Sequence, residues 1–329
     1  MAPLVPGTSN PAASLQTCGG VARNVAENLV RLGFKAGLFT VLGDDADGQW
    51  LLSEMTRQGI DVEGVVRVPG QRTGNYTAVL DSSGEMAVAM ADMDIYERCT
   101  PELLAGWWNA LRQFDTLVAD TNLPMESLRW LLASCRETGK PLCLVPVSSP
   151  KVKRLPQDLR GISLLVANEE EINTLYLHMT GHQHPEGSMP SASAQAALPE
   201  APTAVKRTQG QESHALATLC HHLQRCGVRN IVVTHGQAQV FYLTEADRSG
   251  WINVPPVPVT DVTGCGDAFA AATLAAFSAG RAELARAIGL GLAVARETIQ
   301  STDTVSQKLT PELVRRWETA DDVEGNQQT

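Results

Sequence analysis

The chain lacks several things that would have settled its class at once. No apolar run approaches the 18 or more residues of a membrane-spanning helix, so no helical span is expected. Its seven cysteines, at 18, 99, 135, 143, 220, 226 and 265, are odd in number and form no CxxC pair. That spacing argues against a zinc site or a disulfide framework and points to a reducing compartment. Positive charge is in deficit: 26 Lys and Arg stand against 36 Asp and Glu, a formal net charge of −10. Such a surface suits neither a nucleic-acid polymer nor an anionic membrane, although one anionic ligand can still be held locally. The opening MAPLVPGTSNPAAS has neither the basic n-region and apolar core of a secretory signal nor the Arg-rich face of a transit segment, so a cytoplasmic location is expected. No GxGxxG follows a first strand with an acidic residue about 20 positions on, which disfavours a dinucleotide oxidoreductase. His178, His182 and His184 crowd a Pro-, Gly- and Ser-rich stretch and read as loop residues rather than metal ligands.

What the chain does have is rhythm. Its 329 residues suffice for about two domains, or for one large α/β domain with an appendage, and need no disulfide or metal to hold a core. Helical and strand periods alternate, the pattern of a mainly parallel sheet with helices on both faces. Val21, Val25, Leu29 and Leu32 fall on one helical stripe that Gly33 can close. Strand AGLFTVLG follows, then a helix that Asp44 or Asp45 can cap and Gly59 stops. Between residues 63 and 90 the period shortens to strands, with a turn at Asp81-Ser82-Ser83-Gly84 and with Met86, Val88 and Met90 alternating with small residues. This is expected to be a small β lid inserted into an α/β body made of residues 19–62 and 91–319. Thr100-Pro101 marks another helix start. Strands at 116–120, 141–147 and 162–167 alternate with helices around 124–138 and 169–177. Residues 178–212, rich in Pro, Ser, Ala, Gln and Gly, are expected to be a disordered insertion. A helix at 213–226, strands RNIVVTH and QVFYL, and Ala-rich helices at 266–279 and 281–299 complete the body. Residues 1–18 are read as irregular and the end, 320–329, as a flexible tail.

The sharpest chemical signal is Asp261-Val262-Thr263-Gly264-Cys265-Gly266-Asp267-Ala268-Phe269, followed at once by an Ala-rich helix. Gly264 and Gly266 let successive backbone N–H groups around Cys265 converge on one point, and the helix start adds unsatisfied donors. A helix dipole contributes only about 0.3–1 kcal/mol, whereas one oriented donor in a closed site is worth about 2.7–4 kcal/mol to a transition state. The oriented N–H groups therefore dominate. Asp267, beside this anion hole, is placed to take the proton of a hydroxyl attacking a phosphoryl group; a plain helix-start carboxylate is the competing reading.

CGGVARNVAENLVRLG and DVTGCGDAFAAA, in this order with a β lid between them, resemble the two signature segments of the ribokinase-like (PfkB) carbohydrate and nucleoside kinases. Within that family, VPGQRTGNYTAVLDSSGEMAVAMADMDIYERCTPELL, VADTNLP and SGWINVPPVPVTDVTGCGDA are similar to the pseudouridine kinases, over most of the chain outside 178–212. The resemblance implies a doubly wound ribokinase-like α/β fold and an alcohol-group phosphotransferase that uses ATP to phosphorylate the ribosyl 5′-hydroxyl of pseudouridine. It also implies Mg²⁺ on the phosphates, a monovalent cation such as K⁺ near the anion hole, and a homodimer through the lid. Residue by residue, Gly19, Gly20 and Asn24 match the sugar-binding segment. Asn168 and Glu171 match the N-x-x-E that orders Mg²⁺, with Glu171 reaching the metal through water. Thr234 and Gly236 match the nucleotide-side T-x-G, Gly264, Cys265 and Gly266 the anion hole, and Asp267 the base.

Three departures stand out. The family's opening strand, ending in an Asp that grips sugar hydroxyls, has no counterpart in the strand-poor residues 1–18, so a bare sheet edge and a lost sugar contact are expected. Gln239 replaces the last Gly of T-x-G-x-x-G, where it would crowd the nucleotide. Val145, before Pro146, stands where Asp is common. Two other readings stay open: another nucleoside or sugar kinase of the same family, and a shortened, catalytically impaired binding or regulatory member.

Overall fold

The computed structural model describes residues 7–81, 86–181, 209–278 and 282–324. Residues 7–20 contain no strand or helix and lead into α1 (Val21–Arg31). A two-stranded parallel sheet follows, β1 (Thr40–Gly43) and β2 (Val65–Val68), joined through α2 (Ala46–Gln58). The Asp45 side chain caps α2 by accepting from the Gly48 N–H at 2.8 Å, and Gly59 ends it in the left-handed region at φ 86°. Two strands, β3 (Asn75–Leu80) and β4 (Met86–Asp92), then pair antiparallel as a separate ribbon. The lid is thus this ribbon alone. β2 belongs to the β1 ladder, because a parallel partner needs the helical crossover that α2 supplies.

A short 3₁₀ turn at Asp94–Arg98 leads to α3 (Pro101–Leu111), whose cap Thr100 accepts from the Leu103 N–H. The body then alternates β5 (Leu117–Asp120), α4 (Met125–Thr138), β6 (Leu142–Val145), β7 (Leu164–Asn168), α5 (Glu169–Thr180), α6 (Gln209–Arg225) and β8 (Asn230–His235). β9 (Gln239–Leu243) and β10 (Ser249–Asn253) close the sheet antiparallel, giving the order β10-β9-β8-β7-β6-β5. α7 (Cys265–Ser278), α8 (Leu284–Ile299) and α9 (Pro311–Glu324) complete the chain.

Strand side chains alternate between two cores, as a sheet covered on both faces requires. Leu142, Leu144, Leu165, Ile231 and Val233 join Leu128 of α4, Ile172 of α5 and Leu223 of α6. Cys143, Leu164, Val166 and Val232, one position along the same strands, join Phe269 of α7 and Ile288 of α8. Leu128, Leu142 and Ile231 are wholly buried, each contributing about 1.5–3 kcal/mol of transfer free energy.

Several expected boundaries move. α5 runs to Thr180, with His178 Nε2 3.1 Å from the Leu155 carbonyl, and α6 begins at Gln209, so both ends of the 178–212 stretch are helical. Residues 182–208, like the lid turn at 82–85, lie outside the described residues. The strand over 36–43 is regular only from Thr40, and α9 occupies a segment in which no helix was expected. α1 buries Arg23, Asn24, Glu27 and Asn28 beside Val25 and Ala26, so its inward face is largely polar. Among the described residues no strand pairs with the free edges of β1 and β5, and the two ladders stay separate. No described helix is long and apolar enough to cross a membrane.

Candidate functional site

The carboxyl ends of β5, β7 and β8 and the amino ends of α1, α5 and α7 meet at one edge of the sheet, the edge where open α/β folds bind ligands. Asp267 lies in the first turn of α7 and accepts a 2.6 Å hydrogen bond from Asn24 Nδ2 of α1. Gly20 precedes α1 at φ 99°, with no side chain to cap the helix. Asp120, the last residue of β5, does so instead: its Oδ2 accepts from the Ala22 N–H at 3.2 Å and its Oδ1 from the Asn122 N–H at 2.8 Å. Asp120 was given no role from sequence. The signal available was an acidic residue ending an apolar strand, TLVAD.

The turn read as an anion hole has a backbone that only glycine tolerates at Gly264. Gly264 sits at φ 79°, and a Cβ there would lie 2.0 Å from the Thr304 carbonyl oxygen. The Cys265 N–H is engaged by the Val262 carbonyl at 3.2 Å, whereas the N–H groups of Gly264, Gly266 and Asp267 have no partner among the described residues. The N–H groups this turn leaves open are therefore those of Gly264, Gly266 and Asp267, since the Val262 carbonyl engages that of Cys265. Burial, then the negative charges of Asp261 and Asp267, push the Cys265 thiol up to about 11. It is no thiolate nucleophile at neutral pH.

Three carboxyls share the site. Asp267 is lifted to about 6, chiefly by burial, with the Asp120 charge adding and the Asn24 hydrogen bond and Arg23 opposing. Glu171 is pushed up to about 7 by burial; the Asn168 N–H opposes, and Glu170 and Asp267 add. Asp120 is raised by its burial, against the N–H bonds of Asn122 and Ala22 and the charge of Lys151. Asn168 and Glu171 form a reciprocal cap on α5: Asn168 Oδ1 accepts from the Glu171 N–H at 2.8 Å and Glu171 Oε2 from the Asn168 N–H at 2.9 Å. No group of three or more His, Cys, Asp or Glu among the described residues is arranged to hold a metal by itself. Crowded hard oxygens that raise one another's pKa fit a cation that keeps its waters and leans on phosphate, the habit of Mg²⁺.

Thr234 of β8 is the ladder partner of Asn168, so the T-x-G and N-x-x-E segments stand side by side, and His235 Nδ1 pairs with the Glu169 carboxylate. Gly236 turns at φ 53°. Gln239 starts β9 and donates from Nε2 to Asn253 Oδ1 at 2.8 Å, which ties its amide to β10. Val145 is core, packed in the cluster that holds Phe269. Gly19 leaves open space where a side chain would stand, since a Cβ there meets nothing within 4 Å, whereas a Cβ on Gly20 would lie 3.8 Å from that of Arg23.

A carboxylate held by an amide and N–H groups without a partner among the described residues, at a helix start on the carboxyl edge of a mainly parallel sheet, are suited to an anionic small molecule. The chain belongs to the PfkB family of carbohydrate kinases, whose sequence pattern matches residues 6–311. It is 33% identical over 263 residues to the pseudouridine kinase of Escherichia coli K12, covering 80% of this chain and 74% of that one. The pseudouridine kinase of Arabidopsis thaliana is 25% identical, with 94% and 89% covered. Ribokinase from Thermotoga maritima superposes with a TM-score of 0.74 at 20% identity over 96% of this chain and 92% of its own, so the fold is ribokinase-like.

Proposed function

We propose that this chain is an ATP-dependent pseudouridine kinase acting on the ribosyl 5′-hydroxyl. The observation that carries the phosphoryl-transfer reading is Asp267, which combines a carboxyl lifted to about 6 with immediate proximity to unpartnered N–H groups. At neutral pH it is mostly ionised yet basic enough to accept a proton. The 5′-hydroxyl proton moves to an Asp267 oxygen as the hydroxyl oxygen bonds to the γ-phosphorus of ATP, and the bond to the β-phosphate oxygen breaks to release ADP. The N–H groups of Gly264, Gly266 and Asp267 face the charge that develops on the transferred group. Glu171, with Asn168 fixing its carboxylate, would hold Mg²⁺ through water, and the ion when bound screens the phosphate charges. Gly19 and Gly20 let the sugar approach the backbone, and Thr234 and Gly236 border the nucleotide. The likeness to pseudouridine kinases supports the choice of nucleoside.

The lid supports a homodimer. Met86, Val88 and Met90 alternate along β4 at 59%, 50% and 59% exposure, and Leu80 of β3 is 55% exposed. A lone two-stranded ribbon is marginal in water, and a second copy of the same ribbon offers matching apolar cover.

The test is direct. Purified protein with ATP and Mg²⁺ is offered pseudouridine, uridine, other ribonucleosides and ribose, with ADP release and product mass followed. Pseudouridine 5′-phosphate as the preferred product is expected. Preference for another acceptor would make the chain a different nucleoside or sugar kinase, and binding of pseudouridine without product would make it a non-catalytic member of the family.

A further inference from the structure

Helix α1 carries four polar side chains that are almost wholly buried: Arg23 at 6% exposure, Asn24 at 5%, Glu27 at 3% and Asn28 at 0%. They do not lie there independently. Glu27 is gripped by two arginines, Arg23 Nη1 at 2.5 Å from its Oε2 and Arg31 Nε at 2.8 Å from its Oε1. Arg23 reaches on through Nε to Asn24 Oδ1 at 3.1 Å, makes a second bond to the same oxygen through Nη2, and holds the Cys18 carbonyl at 3.2 Å. The other end of the Asn24 amide, Nδ2, donates to Asp267 Oδ2 at 2.6 Å.

The two ends of an amide differ, and its orientation is set by its neighbours. A guanidinium has donors only, so Arg23 can hold Asn24 by the oxygen alone, and the NH₂ must then face Asp267. An ionised carboxylate only accepts, so it takes that NH₂ and repels the opposite end. We propose that Arg23 is a positioning residue that locks the polarity of the Asn24 amide and thereby keeps a donor on the Asp267 carboxylate. The proposal rests on Asp267 being the base. A purely structural role is a poor account of the same residues, because a buried ion pair contributes little stability over well-packed apolar side chains. Without Arg23 the amide is free to rotate its oxygen toward Asp267, and the ionised form loses both the donor and a nearby positive charge. The groups facing Asp267 are Arg23 and Asn24 from α1 and Asp120 from β5, while Glu171 of α5 and Cys265 in its own turn feel its charge. Of these, only Arg23 carries a positive charge.

The experiment compares kcat and KM against pH for wild type, Arg23→Met, Arg23→Lys, Asn24→Ala, the Arg23→Met/Asn24→Ala double variant and Asp267→Asn. It also follows the Asp267 carboxyl directly by ¹³C NMR, identified by its loss in Asp267→Asn. One charge-assisted hydrogen bond corresponds to about one to two pH units. Arg23→Met is therefore expected to move the acid limb of kcat and the carboxyl titration upward by about one unit, with kcat recovering at high pH. Arg23→Lys should move them less, and once Asn24 is gone Arg23→Met should add only the smaller part due to its charge. If Arg23→Met does not fold, Arg23→Lys and Asn24→Ala carry the same test. Limbs and titrations that stay at the wild-type position while Asp267→Asn is inactive would overturn the role of Arg23 and leave the base standing. Full activity in Asp267→Asn would remove the base, and the positioning role with it.

Discussion

Replacing Asp267 by Asn should trade activity for stability, and both sides follow from one number. The Asp267 carboxyl is lifted from 3.8 to about 6, so the folded state binds more protons than the unfolded state between those values. Stability therefore falls as pH rises through that window and stays low above it. At about 1.4 kcal/mol per pH unit, the ionised carboxylate costs the ligand-free fold about 3 kcal/mol. Asn keeps the size and can still accept from Asn24 Nδ2 through its oxygen, so it removes this cost without opening a cavity. With an unfolding entropy on the order of 0.7 kcal/mol/K for a chain of this length, the melting temperature of Asp267→Asn should exceed wild type by about 4 °C at pH 8 and match it near pH 4. Phosphorylation should fall at least about 10²-fold, since an amide oxygen is a far poorer proton acceptor than a carboxylate. Scanning fluorimetry across pH, paired with an ADP-release assay, measures both. A melting temperature that drops at pH 8, or an offset independent of pH, would refute the desolvation argument, and near-full turnover would return Asp267 to the status of a helix-start residue.

Other expectations follow from the same geometry. Glu171, pushed from 4.5 to about 7, should make ligand-free wild type lose stability as pH rises from about 4.5 to 7; Glu171→Gln should flatten that slope in pH-dependent urea melts, non-additively with Asp267→Asn because the two charges interact. Gly264→Ala forces a Cβ to within 2.0 Å of the Thr304 oxygen at φ 79°, so a loss of about 2–5 kcal/mol in chemical denaturation is expected, and wild-type stability would contradict it. Val88→Lys on the lid face should shift sedimentation from dimer to monomer with little change in melting temperature, and an unchanged sedimentation coefficient would argue against the lid interface.

What the sequence disclosed and what it withheld divide along a physical line. Thr100 caps its helix as read, and of the two candidates Asp44 and Asp45 the second is the cap, because capping is decided within four residues. The Gly264–Asp267 turn was equally local, although which of its N–H groups is spent on Val262 depends on a turn geometry no pattern encodes. α1 disclosed only part of its burial: Val25 and Leu32 of its apolar stripe are buried, but α7 and β5 also bring Asp267 and Asp120 against the helix, and the face that meets carboxylates is polar. Asp120 was invisible as a cap because its partner, Ala22, lies 98 residues away. α9 opens on Thr310-Pro311, the same start signal that Thr100-Pro101 gives α3.

The separation of the β1–β2 ladder from the six-stranded sheet has a mechanical meaning. Val41 reaches the main core, alongside Ile95 and Cys99, but no backbone ladder among the described residues ties β1 to β5. Side-chain packing resists pulling apart yet yields to sliding, whereas a hydrogen-bonded ladder resists both. The subassembly of β1, β2 and α2, with the lid rooted beside it through Thr73 and Asp45, is therefore expected to yield against the body as one piece. In native-state hydrogen exchange its amides should open as a cooperative unit at lower free energy than those of β6–β8. The lid would then be carried by its whole foundation, and the hinge would be a greasy interface rather than a loop.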